Sequence, residues 1–369
     1  RRRQHKNHPS GVVTIGEMME GVEVKDFVPT PLEVERAGVI IFTSGTTGTP
    51  KGIEVSWKKM FDVGVMSTTI LNYGESDVSY VCMPLNHSNS LYLSFIPALL
   101  NGARLLIRRR FSAGNFVSDI ERVGATVWNS VGDPVRYVLN TVGEEADYAH
   151  LHLRTVISTG TNAQNRKAFT RIFGLDIFTE AFGSTEVGAI ATVTPDTPAY
   201  CVGKYLPGKD IKIVDEFTGH ERDPAQVDNT GRILNFDRSV GEILISQESL
   251  GDSAFTGYYN MPRESTERVD ESGYYHMGDL GAFVESEEGR YIIFLGRTGT
   301  DRLRSKGENF SAAFVEEIVL GCEGVVNCVV IGIPHVDSTE NDNPIYIVEA
   351  EDPPRFDVSG FYGFCSRKV

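Results

Sequence analysis

The sequence predicts an α/β protein. Its large lobe joins a parallel sheet with helices to a β-rich, barrel-like part, and a small α+β lobe follows. Three observations carry this reading. Between residues 38 and 181, short β-branched runs alternate with amphipathic stretches of helical period, the order that builds parallel βαβ units. From Gly203 to Phe294 the texture changes to short β-rich pieces separated by Gly, Pro and Asp, as in antiparallel barrel-like folds. Beyond a break near Thr298 to Asp301 lie a helical stretch and two apolar runs. The predicted lobes are residues 1–300 and 301–369.

Residues 1 to 37 are polar and weakly periodic. Gly38 to Phe42 reads as a buried strand, and a helix is predicted from Ser56, its N-cap, to Tyr73. Strands follow at Val78–Cys82, Ala103–Ile107, Thr126–Asn129, Thr155–Ser158 and Ile177–Ala181. Helices are predicted between them at Ser112–Val123, Val135–Val142 and Ala163–Phe173, where apolar residues recur at helical spacing. In the small lobe, Ser311–Leu320 is helical, Val325–Ile333 is a buried strand, Ile345–Ala350 is a strand, and Phe356–Cys365 begins a helix.

With 369 residues the chain can bury a substantial core without disulfide or metal staples. Its 35 Lys and Arg against 50 Asp and Glu give a net charge of −15, which disfavours sequence-independent nucleic-acid binding. Two basic runs, Arg1-Arg2-Arg3 with Lys6 and Arg108-Arg109-Arg110, read as a solvated terminus and a solvated strand end. Five cysteines without CxxC spacing or a Cys/His cluster read as free thiols in a reducing compartment. The longest apolar run, Leu91 to Leu100, is broken by Ser94 and Pro97 and is too short to span a membrane. A cytoplasmic location is expected, with peripheral membrane association and oligomeric state left open.

The strongest signal is Thr43-Ser44-Gly45-Thr46-Thr47-Gly48-Thr49-Pro50-Lys51-Gly52, directly after a strand. Glycines let the backbone approach a ligand and aim amides at it, hydroxyls add donors, and Lys51 adds a charge, which together suit a polyphosphate. The loop lacks the Gly-Lys-Ser/Thr ending of a Walker A motif, so a P-loop NTPase is disfavoured. This stretch resembles the phosphate loop of the adenylate-forming superfamily, which contains acyl-CoA synthetases, peptide-synthetase adenylation domains and beetle luciferases.

Further motifs follow in the family's order. Ala181-Phe182-Gly183-Ser184-Thr185-Glu186 is similar to the family's aromatic-Gly-x-Thr-Glu motif. The resemblance implies that the Phe182 ring packs on adenine, Thr185 contacts phosphate and Glu186 holds Mg²⁺. An acid beside a polyphosphate is repulsive unless a divalent cation lies between them. In Gly273-Tyr274-Tyr275-His276-Met277-Gly278-Asp279, Asp279 matches the Asp that accepts from both ribose hydroxyls. In Gly296-Arg297-x-x-x-Asp301, Arg297 matches a second ribose or phosphate ligand and Asp301 a hinge, although the family usually has two residues between them and this chain has three. Gly160 and Thr161, in Ser158-Thr159-Gly160-Thr161, match a loop lining adenine. His87 sits where the family has a wall by the acyl pocket, and Gly132 and Gly188 belong to the stretches that would line that pocket. Among these, the resemblance implies direct catalytic roles for Thr46, Lys51 and Glu186.

Arg110–Phe116, Gly132–Asn140 and Lys306-Gly307-Glu308-Asn309 resemble acyl-CoA synthetases of the fatty-acid transport protein type. The implied substrates are ATP, CoA and a carboxylic acid, first of all a fatty acid, with Mg²⁺ as cofactor. An adenylation domain serving a carrier protein, and a catalytically impaired nucleotide- or acyl-binding remnant, stay open as alternatives. The family's large lobe begins well before the phosphate loop and its small lobe runs past residue 369. The chain is therefore expected to be truncated at both ends and to lack the family's C-terminal lysine. Lys368 stands in no matching context.

Overall fold

β-Branched residues on both sides of the Gly/Thr-rich loop bring its ends together. The strand β1 (Ala37–Thr43) pairs antiparallel with β2 (Lys51–Ser56), Thr43 standing opposite Lys51. The computed structural model describes residues 31, 33–43, 50–143, 145–229, 231–298, 302–305, 308–335 and 338–368. Ser44, Gly45, Thr46, Thr47, Gly48, Asp301, Lys306, Gly307 and the basic run at residues 1–3 lie outside the described residues. The second strand of this hairpin is not foreseen in the sequence, because Lys51-Gly52 reads as loop. β1 is also less buried than expected. Its one described pairing is with β2, so Phe42 is left 67% exposed.

Ser56 caps α1 (Trp57–Leu71), its hydroxyl accepting from Lys59 N at 3.1 Å, and Asn72 closes the helix in the left-handed conformation. The chain then alternates through β3 (Val78–Val81), α2 (Ile96–Asn101), β4 (Arg104–Ile107), α3 (Ala113–Val123), β5 (Val127–Asn129), α4 (Gly132–Val142), β6 (Thr155–Ser158), α5 (Ala163–Phe173) and β7 (Ile177–Ser184). The strands pair in parallel in the order β7-β6-β5-β3-β4. All residues of β3, β5 and β6 are buried, as expected of parallel strands covered on both faces. One face packs Tyr80, Trp128 and Val156 against Phe116, Val138 and Phe169 of α3, α4 and α5. On the other, Val127 and Ile157 meet Leu71 of α1 and Ala98 of α2.

β7 is the pivot of the sheet. Its residues 177–180 pair in parallel with β6, while Ala181 to Ser184 pair antiparallel with β8 (Gly188–Thr192). From there β9 (Gly203–Tyr205), β10 (Ile211–Val214), β11 (Gly241–Ser246), β12 (Tyr274–Ser286) and β13 (Gly289–Arg297) extend the same sheet as β8-β9-β13-β12-β11-β10. The β-rich part is thus present as predicted, built as a continuation of the parallel sheet. A bridge between Ile53 and Tyr258 joins the β1–β2 hairpin to it.

Beyond residue 301 lie the hairpin of β14 (Arg302–Ser305) and β15 (Glu308–Ser311), then α6 (Ala312–Val319), the hairpin of β16 (Val325–His335) and β17 (Ser338–Ala350), and α7 (Val358–Lys368). Leu303, Val315, Val319, Cys328, Val330 and Phe361 form a core of their own. β16 is buried on one face only. Cys328 and Val330 point inward, whereas Val329, Ile331 and Ile333 are exposed, because β16 pairs with β17 alone. The five cysteines are free thiols. No helix among the described residues is long and apolar enough to cross a membrane.

Candidate active site

In an open α/β sheet, ligands bind beyond the carboxyl ends of the parallel strands, where the topology switches. Four of the predicted segments lie there. His87 follows β3, Gly132 follows β5, Gly160 and Thr161 follow β6, and Phe182 to Glu186 lie at the end of β7, where parallel pairing gives way to antiparallel.

The loop after β6 is held from inside the protein. Thr161 is buried, its hydroxyl 2.7 Å from that of Ser158, and its N–H donates to Glu180 Oε2 at 3.0 Å. The other Glu180 oxygen accepts from Arg166 Nη1 at 2.6 Å. Burial pushes the Glu180 carboxyl up, and Arg166 and the loop N–H groups oppose the shift. Gly160 has φ 77°, and Gly132 packs so closely beneath it that an added Cβ would stand 2.1 Å from the Gly160 carbonyl. The structure therefore gives Gly132 a backbone-packing task.

The predicted motif at 181–186 is a strand and turn. The Phe182 ring lies 5.4 Å from the Phe294 ring. A Cβ on Gly183 would collide with the Gly188 carbonyl at 1.9 Å, and Gly188 has φ 72°, so both glycines are needed to close the β7–β8 hairpin. Among the described residues the buried Ser184 hydroxyl has no hydrogen-bond partner, an orphan donor at the expected ligand position. Thr185 Oγ1 is 2.9 Å from Ser88 Oγ. His87 caps the turn that contains Ser88, its Nδ1 accepting from Asn89 N at 3.2 Å.

Tyr258 joins motifs that are far apart in sequence. Its ring lies 5.1 Å from Lys51 Nζ, and its hydroxyl donates to Glu186 Oε1 at 3.4 Å. The Arg268 guanidinium lies near enough to oppose the rise that burial gives the Tyr258 hydroxyl, and it donates from Nη1 to the His276 carbonyl at 3.2 Å. Lys51 is buried with no carboxylate within ion-pair distance among the described residues, as a site awaiting an anion requires. Thr43 Oγ1 donates to Lys51 O at 3.5 Å.

Asp279 lies inside β12 and is 4% exposed. Arg297 stands opposite it on β13, Nη1 to Oδ1 at 2.8 Å. Burial raises the Asp279 pKa to about 6. Arg297 works against that rise, and the carboxylates of Glu186 and Glu242 add to it. Glu242 braces the neighbouring turn, accepting from Gly278 N at 3.1 Å and lying 2.8 Å from His276 Nδ1, which raises the imidazole pKa.

Among the described residues, no group of three or more His, Cys, Asp or Glu could hold a metal by itself. A lone carboxylate is what Mg²⁺ takes from a protein when substrate phosphates complete its shell, so Glu186 fits that cation. A small apolar cavity of about 40 Å³ lies between α1 and the sheet, lined by Met66, Ser67, Ile70, Leu93, Ala189 and Thr192. The sequence reading missed Tyr258, Arg268, Glu242 and the Arg166–Glu180 pair. No local pattern marks them, since each acts on a residue from another motif.

The model of the family described as AMP-binding enzyme matches residues 4–259. The chain belongs to the AMP-binding enzyme family. It is 35% identical to the steroid-22-oyl-CoA synthetase of Rhodococcus jostii over 88% of this chain and 56% of that protein. It is also 35% identical to a medium/long-chain-fatty-acid–CoA ligase of Mycobacterium marinum, over 88% of this chain and 59% of that one. The fold matches that of O-succinylbenzoate coenzyme A synthetase from Bacillus subtilis in complex with ATP and magnesium ion. That match has a TM-score of 0.75 at 22% identity, covering 96% of this chain and 68% of that one. This AMP-binding family member thus spans 56–60% of the length of the first curated relatives it matches.

Proposed function

We propose that the protein is the AMP-binding part of an ATP-dependent, AMP-forming acyl-CoA synthetase that activates an apolar carboxylic acid and passes it to CoA. The observation that carries this is the convergence of a buried lysine, two carboxylates and an arginine from separate motifs at one end of the sheet. Lys51, Glu186, Asp279 and Arg297 gather around Tyr258 and Arg268, and α1 and β8 line a small apolar cavity. The names of the relatives, a steroid-22-oyl-CoA synthetase and a medium/long-chain-fatty-acid–CoA ligase, point to the same substrate class.

The chemistry needs no side-chain nucleophile. The carboxylate of the acid attacks the α-phosphorus of ATP. Its new P–O bond replaces the bond to pyrophosphate, giving an acyl-adenylate. A CoA thiol then gives up its proton and attacks the acyl carbon, and AMP leaves. The protein contributes positioning and charge. Lys51 neutralises phosphate, and the resemblance implies that Thr46 adds a donor to it. The Ser184 hydroxyl, unpartnered among the described residues, and Thr185 offer donors to phosphate. Asp279 accepts from the ribose hydroxyls, and Arg297 holds that carboxylate in place. Gly160, Thr161 and Phe182 border the adenine. Mg²⁺, held by Glu186 and the substrate phosphates, would supply charge neutralisation. The acyl chain enters between α1 and β8, past Ala189, and the family resemblance assigns His87 to a wall of the acyl pocket. Residues 1–300 form the catalytic lobe and 301–369 a mobile small lobe turning about Asp301. A cytoplasmic location goes with this reading.

Isothermal calorimetry with a non-hydrolysable acyl-adenylate mimic tests the proposal, since it needs neither pyrophosphate release nor lobe rotation. Tight binding that Asp279→Ala abolishes is the expected result. A folded protein that binds no such mimic overturns the reading.

A further inference from the structure

Lys59 is where a lysine is least welcome. It occupies the third position of α1, counting from the Ser56 cap, where the helix end carries positive partial charge. It is only 6% exposed, and burial of an ammonium is costly. No carboxylate lies within ion-pair distance of it among the described residues. Instead Nζ donates to two backbone carbonyls, those of Glu186 and Ser253, each at 3.0 Å. An ammonium in a place that both the helix and the burial oppose persists when those two bonds hold something worth holding.

What they hold is the turn between β7 and β8. Glu186 sits in it, and its side chain points to Tyr258, whose ring lies over Lys51. The preceding helix position reaches the neighbouring loop through a side chain, Lys58 pairing with the Asp252 carboxylate beside Ser253. The start of α1 is therefore clamped to both the 186 turn and the 252–253 turn. The clamp grips Glu186 by its peptide carbonyl. A cation pairing with the carboxylate itself would compete with a bound divalent ion. Gripping the backbone leaves the carboxylate available.

We infer that Lys59 is a positioning residue for the phosphate end of the site, holding the Thr185–Glu186 turn by its backbone so that the Glu186 carboxylate stays presented beside Tyr258 and Lys51. This rests on the proposed adenylate-forming role and adds to it a residue that the phosphate-loop, Thr-Glu and ribose motifs do not include.

The test compares two ligands by calorimetry on the whole chain. One is the magnesium complex of a non-hydrolysable ATP analogue, which uses Glu186. The other is the acyl-adenylate mimic without Mg²⁺, which does not. Lys59→Met keeps the length and removes the donors. It is expected to weaken the magnesium–nucleotide complex by about tenfold or more, the usual scale for residues that orient a metal ligand. It should leave the mimic within about twofold of the parent. In a Glu186→Gln background the same change should add almost nothing. Lys59→Arg keeps the cation but moves its donors, and it serves if the Met variant does not fold, with a smaller selective loss expected. Equal weakening of both ligands, or no change in either, overturns the inference. A parent protein that does not bind the mimic overturns the adenylate reading, and this inference with it.

Discussion

Asp279 and Arg297 stand opposite each other on β12 and β13, Oδ1 to Nη1 at 2.8 Å, with the carboxylate buried and the guanidinium half-exposed. The two come from separate sequence motifs, and the antiparallel register alone makes them a pair. Asp279→Ala is expected to lower affinity for an acyl-adenylate mimic by at least a hundredfold, because two charge-assisted hydrogen bonds to ribose are lost. Asp279→Asn retains the shape and half the acceptors, and should fall between the two by calorimetry.

The same carboxylate makes both stability and binding depend on pH. Its folded pKa, about 6, lies above the unfolded value, so its contribution to stability is fully present below about pH 4 and is lost as pH rises through 6. Asp279→Asn should therefore melt higher than the parent above pH 6, by a few degrees at most, with the difference vanishing toward pH 4. Binding runs the other way. Affinity for the mimic should fall about tenfold per unit below pH 6, as the acceptor is protonated. A flat difference in melting temperature from pH 4 to 8 would sink the assignment.

Arg166 and Glu180 form a buried brace beneath the Gly160–Thr161 loop. Arg166→Met leaves Glu180 unpaired and 5% exposed, and should destabilise the fold by about 3–5 kcal/mol in chemical denaturation. Glu180→Gln removes the buried charge together with its need for a partner and should cost less. If Arg166→Met costs no more than a typical surface substitution, the brace has no structural weight.

The cavity between α1 and β8 offers a measure of acyl length. Ala189→Phe fills it from the β8 side, next to Met66 and Ile70. Mimics with long acyl chains should lose affinity by about tenfold or more, while acetyl- or propionyl-adenylate mimics bind as to the parent. Equal affinity for short and long chains in the Phe variant would place the acyl tail elsewhere.

Lys51, Ser184, Thr185, Glu186 and Asp279 were singled out because their motifs resemble those of the family, and the alternation from β3 to β7 follows from hydrophobic period. The failures have a common cause. Lys51-Gly52 reads as loop because its strand character comes from pairing with Phe42 and Thr43. Val325–Ile333 reads as buried because apolar residues on both faces look alike until it is known which face has a partner. The close packing of Gly132 on the Gly160 carbonyl is likewise unmarked in the sequence, because a glycine carries no sign of the backbone that packs against it.

The sequence by itself determined the order of most elements, which rests on hydrophobic period, and, through the resemblance of its motifs, the family. The tertiary structure decided that β7 turns from parallel to antiparallel in mid-strand and that Tyr258 links Lys51 to Glu186. It also decided that Lys59 grips the Glu186 carbonyl across 127 residues of chain. Those are long-range pairings, set by register and close packing, and no periodicity along one strand or helix encodes them.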